Sequence, residues 1–249
     1  MLIVTYIKLI VSLSLLSYAS IEDLKHREIS DLVWLFFNFL AFSINLASLF
    51  VFHYFYIDAI SIVYALALLV IFLSLYYVGA YGGADAKALV SITLMFPFLS
   101  EKVSLSSFTL LPIPVATFFY ASVLSLIQVP INLVHNLLLI FKKEKVFEGI
   151  KEPTLKKVLA LLLLRKERIK KRYINLFFTP AEIVLEDGSR RLTFFSNTTS
   201  NVAVDEGELI FVSPLIPFVF FLTFGFLFFV VFGDYILVNI IKVAESLVH

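Results

Sequence analysis

Six apolar runs, separated by short charged segments, organise the 249-residue chain: residues 2–21, 32–56, 57–78, 86–99, 107–141 and 214–241. A helix needs about 20 apolar residues to cross some 30 Å of hydrocarbon, and every run but the fourth is at least that long. The pattern predicts a membrane all-α bundle of six transmembrane helices. The long hydrophilic stretch, 142–213, is expected to form a small cytoplasmic α+β insertion between helices five and six. Three regions follow: 1–141 with helices one to five, 142–213 with the insertion, and 214–249 with helix six and the C-terminus. The first run lacks a basic leading segment and enters a charged loop directly, so it is read as a retained span rather than a removable signal peptide.

Composition agrees with that solvent, since 60% of residues are hydrophobic and the mean hydropathy is +0.96; no soluble domain carries such a surface. The absence of cysteine excludes disulfides, thiol nucleophiles and thiolate metal sites. A net charge of +1 conceals an asymmetry that orients the chain. With 22–31, 79–87 and 142–213 inside, 17 of the 20 Lys and Arg are cytoplasmic and only Lys8, Lys102 and Lys242 lie outside. Both termini are then external.

Within the insertion, residues 142–172 hold 12 basic and 4 acidic residues, with Leu155, Val158, Leu159, Leu162 and Leu163 at helical spacing. A basic amphipathic helix over 154–172, resting on anionic membrane lipids, is expected; a nucleic-acid partner is not, because headgroups are already the neighbours. Beyond Tyr173, "EIVLEDGSRRLTFF" and "GELIFVSP" read as strands of a small antiparallel sheet, with Asp187-Gly188 as a turn. The sequon at Asn197 is expected to be inert on the cytoplasmic side.

The candidate chemistry lies at one membrane face. "YGGADAKALV" sets Asp85 and Lys87 beside Gly82 and Gly83 at the start of the short fourth run. Glycines permit a non-helical backbone to approach neighbouring helices, which would leave Asp85 at the lip of a hydrated cavity. The loop after the first run brings Glu22, Asp23 and Asp31 to the same face, and spacing does not choose among them. Two facing carboxylates can divide peptide hydrolysis, one ionised to deprotonate water and one protonated to polarise the carbonyl. Blander roles stand beside this one. Asp85 can be a helix N-cap, Ser30 and Asp31 the caps of the second helix, Lys87 a snorkelling side chain or a partner of Asp85, and Glu22 and Glu28 attractors for a basic peptide. His26, His53, His135 and His249 lack metal-ligand spacing, so neither a metal nor a cofactor is expected.

"SIEDLKHREISD" together with "GGADAK" resembles the two active-site motifs of archaeal preflagellin and prepilin peptidases, the GxGD-type membrane aspartyl proteases related to bacterial type IV prepilin peptidases. Ser20, Asp23, Arg27 and Ile29 match S-x-x-D-x-x-x-R-x-I, and Gly82, Ala84 and Asp85 match the relaxed G-x-hydrophobic-D. Ala84 stands where the stricter form has glycine. The resemblance implies that Asp23 and Asp85 are the catalytic pair, supported by Gly82, Gly83, Ala84, Lys87 and Arg27. It also implies archaellin or type IV pilin-like precursors as substrates, cut at the cytoplasmic face between a short basic leader and the apolar helix that follows. Without cysteine, the zinc region and the methyltransferase activity of many bacterial relatives are not expected. The competing reading is an ion-coupled transporter that uses Asp23 and Asp85 as proton or cation sites. Carboxylates at one membrane edge, rather than at the midplane of paired broken helices, favour the peptidase.

The charge asymmetry predicts that tags at residues 26 and 190 are protected in sealed cells, whereas residue 103 and both termini react with impermeant label. Free external labelling at 190 reverses the orientation.

Overall fold

The structure, a computed structural model, describes residues 2–52, 59–79, 82–97, 111–168, 176–185, 189–194 and 207–248. Its elements are α1 Leu2–His26, α2 Asp31–Phe52, α3 Ala59–Tyr77, α4 Gly83–Met95, α5 Ile113–Ser125, α6 Gln128–Phe141, α7 Thr154–Leu163, β1 Arg165–Arg168, β2 Phe178–Pro180, β3 Glu182–Val184, β4 Arg190–Leu192, β5 Leu209–Pro214, α8 Phe218–Phe232 and α9 Tyr235–Val248. They divide into two compact units, Met1–Leu124 with Pro217–His249, and Ser125–Ile216. The turn expected at Asp187-Gly188, the sequon at Asn197, and Lys102, His53 and His249 lie outside the described residues.

Among the described residues three helices are long and apolar enough to cross a bilayer, Ile3–His26, Asp31–Phe50 and Ile113–Phe141, while Val63–Tyr77 and Phe218–Phe232 are shorter apolar helices. In the first unit the short α4 is the hub, packed by α1, α2, α3 and α8. Ala86, Ala88, Leu89, Ser91, Ile92, Thr93 and Met95 are all buried, so nearly its whole circumference is covered by protein. Thirteen residues reach about 20 Å, too short to cross the hydrocarbon alone. The outer helices turn apolar side chains outward, among them Ile7, Ile10, Phe36, Phe39, Phe42, Leu66 and Val70. That inversion of the soluble pattern is what a lipid solvent permits.

Side-chain hydrogen bonds fix the helix pairs. Asn45 of α2 donates to the carbonyl oxygens of Ala41 (2.8 Å) and Leu94 (2.9 Å), meeting the end of α4. Between α1 and α8, Thr223 Oγ1 donates to Leu16 O at 3.1 Å and lies 2.5 Å from Ser20 Oγ. Small residues bring α8 against α5: a Cβ on Gly225 would stand 2.6 Å from Thr117 O and 2.7 Å from Ala121 N.

Two expectations are corrected. The sixth run, expected as one span over 214–241, is two helices. The chain turns at Gly233, whose φ of 55° suits glycine. Fully buried Asp234 follows; its carboxylate accepts the Leu111 N–H at 2.8 Å, and Tyr120 Oη donates to Gly233 O at 2.7 Å. The basic helix expected over 154–172 ends at Leu163. Asn136 of α6 stops it by donating to Leu161 O (2.9 Å) and Leu164 O (2.8 Å) while accepting the Lys166 N–H at 2.9 Å. Arg165–Arg168 then pair antiparallel with β5, from Arg165 opposite Val212 to Arg168 opposite Leu209.

In the second unit β5 is the central strand of the order β1-β5-β2, and β3 pairs with β4. Its core is Val146, Ile150, Ala160, Leu164, Ala181, Leu192 and Phe211. Lys166 is buried against Glu182 (2.7 Å), which also accepts the Phe211 N–H at 2.6 Å. Burial pulls the Lys166 ammonium below the usual lysine range while Glu182 pulls it back up. A polar cavity of about 610 Å³ opens over this network, lined by Lys143, Lys145, Arg168, Arg190, Glu148 and Glu208 among others.

Because the atoms nearest Gly225 are backbone, they cannot rotate away. Gly225→Ala is expected to lower the thermal midpoint in detergent, with a cost on the order of 1–3 kcal/mol. Ala substitution at Gly83, a helical glycine without a positive φ whose added Cβ would meet only the Tyr76 ring at 3.4 Å, is the comparison that separates crowding from general loss of glycine.

Candidate active site

Asp23 occupies the last turn of α1 and is buried. Ser20, one turn earlier, donates to Leu16 O at 2.8 Å and touches Thr223 and the Val219 carbonyl, so the first motif is fastened to α8 before the aspartate is reached. As a result the backbone N–H groups of Val219 and Phe220, in the first turn of α8, face the Asp23 carboxylate. The positive end of a helix is a favourable place for that charge. Asp23 Oδ2 is buried and makes no hydrogen bond among the described residues.

Arg27 follows the end of α1 with φ at 58° and returns its N–H to Asp23 O at 3.1 Å. A left-handed residue at this point is the usual way to end a helix, although glycine is the usual choice. Here the turn carries a guanidinium, and it attracts the carboxylates of both Asp23 and Asp85. The two carboxylates in turn repel each other.

Asp85 lies in the first turn of α4 and accepts the Gly82 N–H on Oδ2 at 3.1 Å. The helix N-cap is Gly82 rather than Asp85. Asp85 caps the helix from its third position instead, by accepting the N–H of that N-cap residue. A Cβ at Gly82 would stand 3.2 Å from Asp85 Oδ2, so the missing side chain keeps this face of the carboxylate open. Gly83 is the first helical residue, not part of a turn, and a Cβ there would meet the Tyr76 ring at 3.4 Å. Both glycines serve close approach; neither has a positive φ. Ala84 packs against the bundle core.

Lys87 does not go to Asp85. Its Nζ is 2.5 Å from Asp31 Oδ1, tying the second turn of α4 to the first residue of α2. Ser30 supplies the cap of α2, its Oγ accepting the Leu32 N–H at 3.4 Å. Glu28 and His26 are exposed and Glu22 is half-buried. His135 lies in the second unit beside Lys166 O. Among the described residues no three His, Cys, Asp or Glu converge on a metal position.

Sequence reasoning missed Asn45, Thr223 and the backbone of Val219 and Phe220. The first two are ordinary polar residues inside apolar runs, which is itself a signal, because such residues in a bilayer must find partners. The signal for the α8 N-terminus is "VSPLIPFVFF", where Pro217 sets the helix start.

Residues 10–129, which contain both aspartates, match the Type IV leader peptidase family. No curated protein matches the chain.

The Lys87–Asp31 pair is exposed, so each of Lys87→Gln and Asp31→Asn is expected to cost no more than about 1 kcal/mol of stability. Reversal of both charges, Asp31→Lys with Lys87→Asp, should recover the wild-type thermal midpoint. A double variant no better than its worse parent denies the pair.

Proposed function

Taking as premise that residues 10–129 place the protein in the type IV leader peptidase family, we propose that it is a membrane aspartyl endopeptidase whose catalytic pair is Asp23 and Asp85. The family makes it a leader-processing protease acting on pilin-like precursors. The finer reading is ours: the substrates are archaellins or type IV pilin-like subunits, and the leader is cut at the cytoplasmic face of a six-span protein with external termini. The observation that carries it is that Asp23, buried in the last turn of α1, and Asp85, in the first turn of α4, stand on two helices that pack against each other, both within the matched residues and both within electrostatic reach of Arg27.

The chemistry follows from that triad of charges. Like-charge repulsion favours a state in which one carboxyl keeps its proton while the other is ionised. The ionised carboxylate takes a proton from a water as its oxygen attacks the scissile carbonyl carbon. The protonated carboxyl donates to the carbonyl oxygen, giving a neutral tetrahedral diol. Collapse of the diol moves a proton to the leaving amine and restores the starting state. Arg27 offsets the second negative charge whenever the pair is fully ionised. Gly82 supports the approach of an extended substrate backbone to Asp85, because a side chain there would occupy the space beside Oδ2.

Asp23→Asn and Asp85→Asn keep the side-chain shape and lose the titratable proton. Each should reduce cleavage of a leader-bearing precursor by roughly 10²–10⁴-fold or more with the thermal midpoint retained. Asp→Glu at either position should also be impaired on the order of 10²-fold, since it shifts the carboxylate by about 1 Å. Activity should fall on both sides of a pH optimum, as a pair holding one proton requires. Near wild-type turnover by either Asn variant removes the pair from the mechanism.

A further inference from the structure

Helix α7 has two apolar faces, and its own unit uses only one. At 100° per residue, Leu155, Val158, Leu159, Leu162 and Leu163 fall within an arc of about 140°, with Lys157, Ala160, Leu161 and Leu164 on the opposite side. The second face is the packed one: Ala160 and Leu164 are buried in the Phe211 core, Leu161 packs against it, and Lys157 Nζ lies 5.6 Å from the centre of the Phe147 ring. The first face looks outward. Leu155 is 71% exposed, Val158 48%, Leu159 38% and Leu163 47%. A helix that is apolar all round is normally covered on both sides.

What covers the outer side follows from where α7 is pinned. Its last carbonyls, Leu161 to Leu164, accept hydrogen bonds from Asn132 and Asn136 of α6. Those asparagines alternate along α6 with Ile131, Val134, Leu138 and Phe141, which are themselves outward-facing apolar residues. The stretch Ile113–Phe141 to which they belong is apolar and long enough to cross a bilayer. The C-terminal end of α7 therefore sits at the level of a lipid-facing belt, Asn136 lying about 8 Å along the helix from Phe141. Exposed Lys156, which also pairs with Glu152 at 3.0 Å, borders the α7 stripe, exposed Lys151 precedes the helix, and exposed Lys142 and Lys143 follow the end of α6. Cations bordering an apolar stripe match an anionic headgroup layer over an acyl phase.

We propose that α7 is an interfacial helix, and that its Leu155–Val158–Leu159–Leu163 stripe inserts at the boundary between headgroups and acyl chains of an anionic leaflet. The second unit is then held on the bilayer by lipid contact. Insertion of leucines does the anchoring; the lysines select anionic lipid. The proposal stands apart from the peptidase reading, because it concerns no residue of the Asp23–Asp85 site.

The chain has no cysteine, so single cysteines at 155, 159 and 163, with one at 156 on the flank, can each carry an environment-sensitive fluorophore in the full-length protein. Each labelled variant is first required to keep the wild-type thermal midpoint, which makes the outcome independent of whether leader cleavage is detected. In proteoliposomes with an anionic phospholipid, brominated acyl chains should quench labels at 155, 159 and 163 several-fold more than the label at 156. Aqueous iodide should show the reverse order. Exchange of anionic for zwitterionic phospholipid should weaken the acyl-chain quenching at all three positions. Iodide quenching at 155, 159 and 163 equal to that at 156 overturns the proposal. So does shielding from both quenchers that disappears when the protein is diluted in lipid, since a second copy of the chain would then be the cover.

Discussion

Two carboxylates and a guanidinium lie within electrostatic reach of one another at the ends of helices in an otherwise apolar bundle, and the helix packing of the first unit sets where they stand. Charges at a bilayer edge are tolerated only when they are paired, hydrated or set against backbone dipoles. Asp23 uses the N-terminus of α8 and Arg27; Asp85 uses the Gly82 N–H and the same arginine. One cation shared between two anions leaves a net negative charge when both are ionised. Protonation of one of them relieves it, and that is the state the proposed acid–base hydrolysis would use.

The positions of the two aspartates have separate supports. Asp23 is set by the α1–α8 contact, where Ser20, Thr223 and the Leu16 carbonyl form a buried hydrogen-bonded group one turn away. Asp85 is set by α4, which α2 grips at both ends, through Asp31 on Lys87 and Asn45 on the Leu94 carbonyl. Because Asp31 and Asn45 meet the start and the end of α4 in that order, α2 and α4 run in the same direction. A short helix enclosed by neighbours can stop short of the bilayer width, since protein rather than lipid packs around most of its circumference. A helix facing lipid would leave those terminal carbonyls exposed to hydrocarbon.

The candidate site residues drew attention in the sequence more readily than the element boundaries did. Asp23 and Asp85 stand out because carboxylates beside glycines and at span ends conflict with an apolar background, while the preference for Asp23 over Glu22 and Asp31 comes from the resemblance to the peptidase motif and not from spacing. Lys87 was ambiguous for a physical reason: a flexible side chain reaches Asp31, 56 positions away in sequence, as easily as its own turn. The division of the last apolar run escaped the hydropathy pattern because Gly233 and Asp234 are only two residues within a strongly apolar stretch. The early end of α7 escaped it too, since a distant asparagine, not a local breaker, takes the carbonyls.

The central claim is that the ends of α1 and α4 hold positions 23 and 85 face to face in the membrane. A chain without cysteine allows this to be measured with Asp23→Cys and Asp85→Cys combined. In intact membranes the double variant should be joined by mild oxidation or by a short bifunctional thiol reagent, and mass spectrometry of the digest should recover the peptide bearing 23 linked to that bearing 85. If both cysteines take up a monofunctional thiol label yet no linked peptide forms, the two positions do not face each other and the account fails.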